Sequence, residues 1–160
     1  MNNIFEQTRG IRNNNPMNIR VSKANNWVGK IKKGKKDPQF EEFTDMMYGV
    51  RAAIRIIRNY VRMYGIDNIK ELIERWAPEE DGNDTLAYIQ YVVKVIKMNF
   101  KMLGDEKRAD SITLYSPVDI NDFFFMKALI MAMCKLESRY VMDDETFIKA
   151  WKAVMKKHWK

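Results

Sequence analysis

Between Phe123 and Cys134 the chain is apolar on almost every side of a helix, with only Lys127 interrupting Phe123, Phe124, Phe125, Met126, Ala128, Leu129, Ile130, Met131, Ala132, Met133 and Cys134. A surface helix alternates more, because one face must meet water. The run is too short and too interrupted to cross a membrane, which takes roughly 18 or more consecutive apolar residues. It therefore predicts a central, buried helix around which the other elements pack. With 160 residues the chain has room for one domain. The reading is a tail over residues 1–8 and one domain over residues 9–160.

Helical spacing recurs on both sides of that run. Val50, Ala53, Ile54, Ile57, Val61 and Tyr64 repeat at three and four, between Gly49 and Gly65. Ile69, Leu72, Ile73 and Trp76 make a short helix stopped by Pro78. Leu86, Ile89, Val92, Val93 and Ile96 make another, after an Asp81-Gly82-Asn83-Asp84 turn. Residues 104–115 read as loop. Ser116-Pro117-Val118-Asp119 reads as the start of the apolar helix, and Asp143 or Asp144 as the cap of a last one. The first 40 residues are Asn- and Pro-rich, with short strands expected around residues 18–21 and 27–31. The fold class is α-rich, with a small N-terminal β element.

Composition narrows the chemistry. Cys134 is the single cysteine, so no internal disulfide is expected. His158 is the single histidine, which disfavours a histidine-based zinc site or a Ser-His-Asp triad. No cofactor or metal is expected, and any catalysis rests on carboxylates. The N-terminus lacks a basic region followed by an apolar one, so the expectation is synthesis in the cytoplasm without a signal peptide. A net charge of +7 favours anionic partners, nucleic acid, an anionic cell-wall polymer or a membrane surface, and serves solubility equally well.

Glu137 is the leading carboxylate. It sits where the apolar helix turns polar, and burial and the negative helix end both raise a carboxyl pKa, as a general acid requires. The plainer alternative is a surface Glu paired with Lys135 or Arg139. Glu41 and Glu42 are second candidates, and Glu71, Glu74, Glu79, Glu80 and Asp81 a third group. Asn13, Asn14, Asn15 and Asn18 suit either turns that bond their own backbone or amides turned to a sugar. Trp27, Trp76 and Tyr88 suit either sugar stacking or a core. Arg51, Arg55, Arg58 and Arg62 share one helix face and form a basic stripe that phosphates would fit.

Taken together, Arg9-Gly10-Ile11-Arg12-Asn13-Asn14-Asn15-Pro16-Met17-Asn18-Ile19-Arg20, Trp27-Val28-Gly29, Gly49-Val50-Arg51-Ala52 and Arg75-Trp76-Ala77-Pro78 resemble a group of bacteriophage and prophage virion proteins over about residues 9–140. Such proteins carry a helix closing in His-Glu-Asn-Gly, and here the matching stretch is Leu136-Glu137-Ser138-Arg139. The Glu-Ser helix end also resembles lytic transglycosylases and glucosaminidases, and a circularly permuted lysozyme-like domain would reconcile its position. This second resemblance implies peptidoglycan as substrate, Glu137 as catalytic acid, and Asn15, Asn18, Trp27, Ser138 and Tyr88 along a sugar cleft. The departures at Leu136 and Arg139, and a basic insert over residues 30–36, fit a domain that kept its fold without the activity. Three functions follow: a wall-degrading enzyme, a non-enzymatic virion or wall-binding component, and a nucleic-acid binder. The location implied is the host cytoplasm, then the virion or the cell wall on lysis.

Overall fold

The computed structural model describes residues 7–156. Its described residues form seven α-helices: α1 Arg9–Arg12, α2 Met46–Tyr64, α3 Ile69–Trp76, α4 Thr85–Met102, α5 Glu106–Ser111, α6 Phe123–Ser138 and α7 Asp144–Met155, with a 3₁₀ turn at Glu79–Asp81. Among the described residues there is no strand, only isolated bridges pairing Arg20 with Phe40, Lys30 with Phe43 and Asn68 with Pro117. The class is helical. No described helix is long and apolar enough to cross a membrane. His158 and most of the expected tail, residues 1–6, lie outside the described residues. Thr8, also assigned to that tail, is held in place as the N-cap of α1.

Two compact units divide the chain, one from residues up to 55 and from 133 onward, the other from residues 56–132. In the first, Met17, Ile19 and Phe43 of the irregular N-terminal segment are buried, as are Val50, Ala53 and Ile54 of α2 and Phe147, Ala150 and Val154 of α7. Asp143 caps α7 by accepting from the Thr146 amide at 3.1 Å. In the second, α4 packs on α3 and α5. Its core includes Ile69, Leu72, Ile73, Val92, Ile96 and Phe100. Helix α3 is capped by Asn68, whose side chain accepts from Glu71 N at 2.9 Å.

The apolar run does form one helix, and Phe125, Met126, Ala128, Leu129, Ile130, Ala132, Met133 and Cys134 are each at most 1% exposed. Its start differs from the sequence reading. Asp122, rather than Ser116, caps it, accepting from the Phe125 amide at 3.0 Å. Ser116 instead closes a turn by accepting from Thr113 N at 2.8 Å, and Pro117 forms the bridge to Asn68. The segment read as loop over 104–115 contains α5, a six-residue helix capped by Asp105. It is too short for a periodic apolar pattern to mark it.

The expected N-terminal strands are reduced to the bridges at Arg20 and Lys30. A few backbone bonds, such as Glu41 N to Ile19 O and Ile31 N to Glu42 O, cross each bridge, and polar side chains add to them. Asn15 Nδ2 donates to the carbonyls of Ile19 and Glu41 at 2.9 and 3.0 Å, and its Oδ1 accepts from Ile19 N at 2.9 Å. Asn14 Nδ2 donates to Phe43 O at 3.0 Å. Asn14 and Asn18 adopt left-handed φ angles of 52° and 51°, which Asn tolerates better than most residues.

Candidate functional site

The C-terminal end of α6 is where Glu137 stands, and a helix end exposes carbonyls with no intrahelical partner. Two of them are capped by side chains from the other end of the chain. Asn18 Nδ2 donates to Glu137 O at 3.1 Å, and Thr8 Oγ1 donates to Ser138 O at 2.6 Å. Ser138 Oγ donates in turn to Pro16 O at 2.7 Å. Gly10 lies so close that a Cβ there would sit 1.9 Å from Ser138 Oγ. Arg139 then turns the chain out of the helix at a φ of 57°.

Glu137 is half-buried at this junction. Asn18 is half-buried beside it, and its Oδ1 is a buried acceptor without a partner among the described residues. Trp27 Nε1, in the same unit, is a buried donor in the same condition. Unpaired buried polar atoms are scarce in folded proteins, and each suits a group that a ligand hydroxyl, carbonyl or water would satisfy.

The other expected sugar contacts are placed differently. Asn15 is fully buried, with its amide saturated by backbone, so it has no group left to turn outward. Ser138 is 2% exposed and its hydroxyl is committed to Pro16. Tyr88 is buried on α4 in the other unit. Trp76 lies against Tyr60, whose ring also lies under Arg75.

The arginine stripe is not a row of free cations. Arg51 and Arg58 are buried, Arg55 is half-buried and Arg62 is exposed. Burial, followed by the charge of Arg55, pulls the Arg51 pKa below its ordinary value. Arg58 Nη1 donates to Ile120 O at 2.6 Å and to Asn121 Oδ1 at 3.1 Å, so this cation braces a loop. A phosphate-tracking helix needs its guanidinium groups in water, and two of these four are not.

Three of the other carboxylate candidates have structural partners. Glu42 Oε2 accepts from the amides of Lys36 and Asp37 at 2.6 and 2.9 Å. Glu41 is 2% exposed. Glu74 pairs with Lys70, and Glu71 accepts from Asp67 N at 3.0 Å. Glu79, Glu80 and Asp81 are exposed in the 3₁₀ turn. Among the described residues no three His, Cys, Asp or Glu side chains gather where a metal ion would be held. Burial pushes the Cys134 thiol well up, which removes it as a nucleophile.

Asp37, which sequence reasoning passed over, ties α1 to the segment that follows the basic insert. It accepts from Arg9 Nε and Nη2 at 2.6 and 2.7 Å, from Asn13 Nδ2 at 2.9 Å, and from the amides of Gln39 and Phe40. The Arg9 guanidinium, helped by the other donors, holds its carboxyl far below the usual range. A depressed folded pKa contributes stability above the unfolded value and loses it as pH falls toward the folded one. D37N should therefore melt below wild type at pH 7, with the gap narrowing steadily below about pH 4. Melting curves between neutral and acid pH test this, and a gap that does not change with pH contradicts it.

No family model matches the chain. Over 91 residues it is 46% identical to protein P5 of Pseudoalteromonas phage PM2. This chain is similar to a phage protein. The match covers 56% of this chain and 56% of protein P5, so the chain spans a little over half the length of that relative. The similarity agrees with the phage resemblance drawn from the Asn-rich and Arg-Trp-Ala-Pro strings.

Proposed function

We propose that this protein is a component of a phage particle that works by binding and assembly. The observation that carries the reading is the 46% identity to protein P5 of phage PM2. The site geometry is in keeping with it. Much of the Asn-rich string, whose amides suited either turns or a sugar, is used to fold the N-terminal segment, and Ser138 ties that segment to α6. The chain should stay with purified particles of a phage that encodes it, through a density gradient, at a fixed ratio to the major capsid protein. Recovery only in the soluble lysate fraction would remove the reading.

A second reading, glycan-strand cleavage by Glu137 in a lysozyme-like domain, is favoured by one observation. Glu137 is half-buried, and its backbone carbonyl accepts from Asn18, whose own side-chain oxygen has no partner among the described residues. Glu137 would protonate the glycosidic oxygen, with Asn18 and Trp27 as sugar contacts. Under this reading wild type clears purified peptidoglycan, and E137Q loses about 100-fold or more, the usual contribution of a general acid. Equal clearing by both proteins, or by neither, rejects Glu137 as the acid.

A further inference from the structure

The cations of the N-terminal segment are distributed unevenly with respect to its acids. Residues 7–45 hold Arg9, Arg12, Arg20, Lys23, Lys30, Lys32, Lys33, Lys35 and Lys36 against Asp37, Glu41, Glu42 and Asp45. Of the four acids only Asp45 is exposed. Asp37 is neutralised by Arg9, and Glu42 is turned onto the backbone amides of Lys36 and Asp37. Glu42 thereby holds the end of the loop at Lys36, and neither carboxylate pairs with the loop's lysine side chains. Lys32, Lys33 and Lys36 are exposed and Lys35 half-exposed. None of the four pairs with a carboxylate among the described residues. Next to them opens a cleft of about 630 Å³, lined in part by Arg12, Gly34 and Lys36, and also by Asp37 and Glu42, whose carboxylates are committed to Arg9 and to backbone amides.

We propose that this lysine loop, together with Arg12, is a sequence-independent docking surface for duplex DNA. Four lysines within five residues form a dense cation cluster, and duplex DNA is a correspondingly dense polyanion, with one charge per about 1.7 Å of axis. Counterion release rewards that match most. The residues lining the cleft include no aromatic side chain on which unstacked bases would rest, which favours a duplex over a single strand. Lysine supplies point charges to phosphate without a planar fork to read base edges. The surface replaces the α2 stripe as the anion-binding face, and it stands independently of the particle reading.

The test is binding of a labelled random-sequence duplex, by anisotropy, across a salt series. The K32A/K33A/K35A/K36A variant should flatten the slope of log affinity against log salt by about 3–4, since each lost phosphate contact removes about 0.9. The pairs K32A/K33A and K35A/K36A should each remove about half of that. A control with the same loss of charge elsewhere, K94A/K101A/K152A/K156A at exposed lysines, should keep the wild-type slope. Equal flattening by loop and control variants, no flattening by the loop variants, or tighter binding to a purified phosphodiester wall polymer than to duplex at the same salt would each overturn the proposal.

Discussion

Asn15→Ala should destabilise the protein by on the order of 2–6 kcal/mol and lower its melting temperature by roughly 5 °C or more. The side chain is completely shielded from water and makes three hydrogen bonds with the backbone of Ile19 and Glu41. Alanine leaves the Glu41 carbonyl and the Ile19 amide without partners in a place water does not reach, while the Ile19 carbonyl keeps only its bond from the Glu41 amide. Each such group costs about 1–3 kcal/mol, and the total is a large share of the 5–15 kcal/mol by which a domain is typically stable. Asn15→Asp should be worse still. It keeps the acceptor for Ile19 N but sets a carboxylate against two carbonyl oxygens. The order Asn above Ala above Asp in melting temperature is the signature of a buried amide that bridges backbone. A ligand-contacting Asn would behave differently, with Ala leaving the melt unchanged. A shift of less than about 2 °C for Asn15→Ala would remove the structural role assigned to the string.

That expectation also marks how far the sequence could be read. Elements whose signals are local were legible. The apolar stripe of α2, Pro78 beyond α3 and Asp143 ahead of α7 each act within a few residues, and each element lies where the pattern put it. Signals that depend on a distant partner were not legible. Arg58 looks like a surface cation until Ile120 and Asn121, some sixty residues on, supply its acceptors. Asn18 looks like a turn residue or a sugar ligand, and its amide in fact caps a helix end 119 positions away. The Ser116-Pro117 pair is a good helix start by type, yet a turn uses that serine and Asp122 begins α6. Glu137 was legible as a position, the polar end of a buried helix. What the pattern did not contain was the way residues 8–18 close over that end.

That closure yields the other large effect. Gly10→Ala should cost on the order of 2–5 kcal/mol, from overpacking and from a hydrogen bond forced open. The new methyl would stand 1.9 Å from Ser138 Oγ, 2.7 Å from Ser138 Cβ and 2.9 Å from Asn15 O. All three atoms are in the interior, so no exposed side chain is available to give way. Ser138 must swing off Pro16 O, or α1 must lift and carry Thr8 off the last carbonyl of α6. The mechanism makes a sharper demand than the single substitution. Ser138→Ala removes the nearest clashing atom and already forfeits the bond to Pro16. In that background the further change Gly10→Ala should therefore cost less than it does in wild type. A coupling of about 0.5–3 kcal/mol is usual for side chains in direct contact. Urea unfolding of wild type, both single variants and the double variant measures it. Strict additivity would mean that Gly10 is required for some reason other than its approach to Ser138, and the clamp between the N-terminal segment and the Glu137 end of α6 would lose its physical basis.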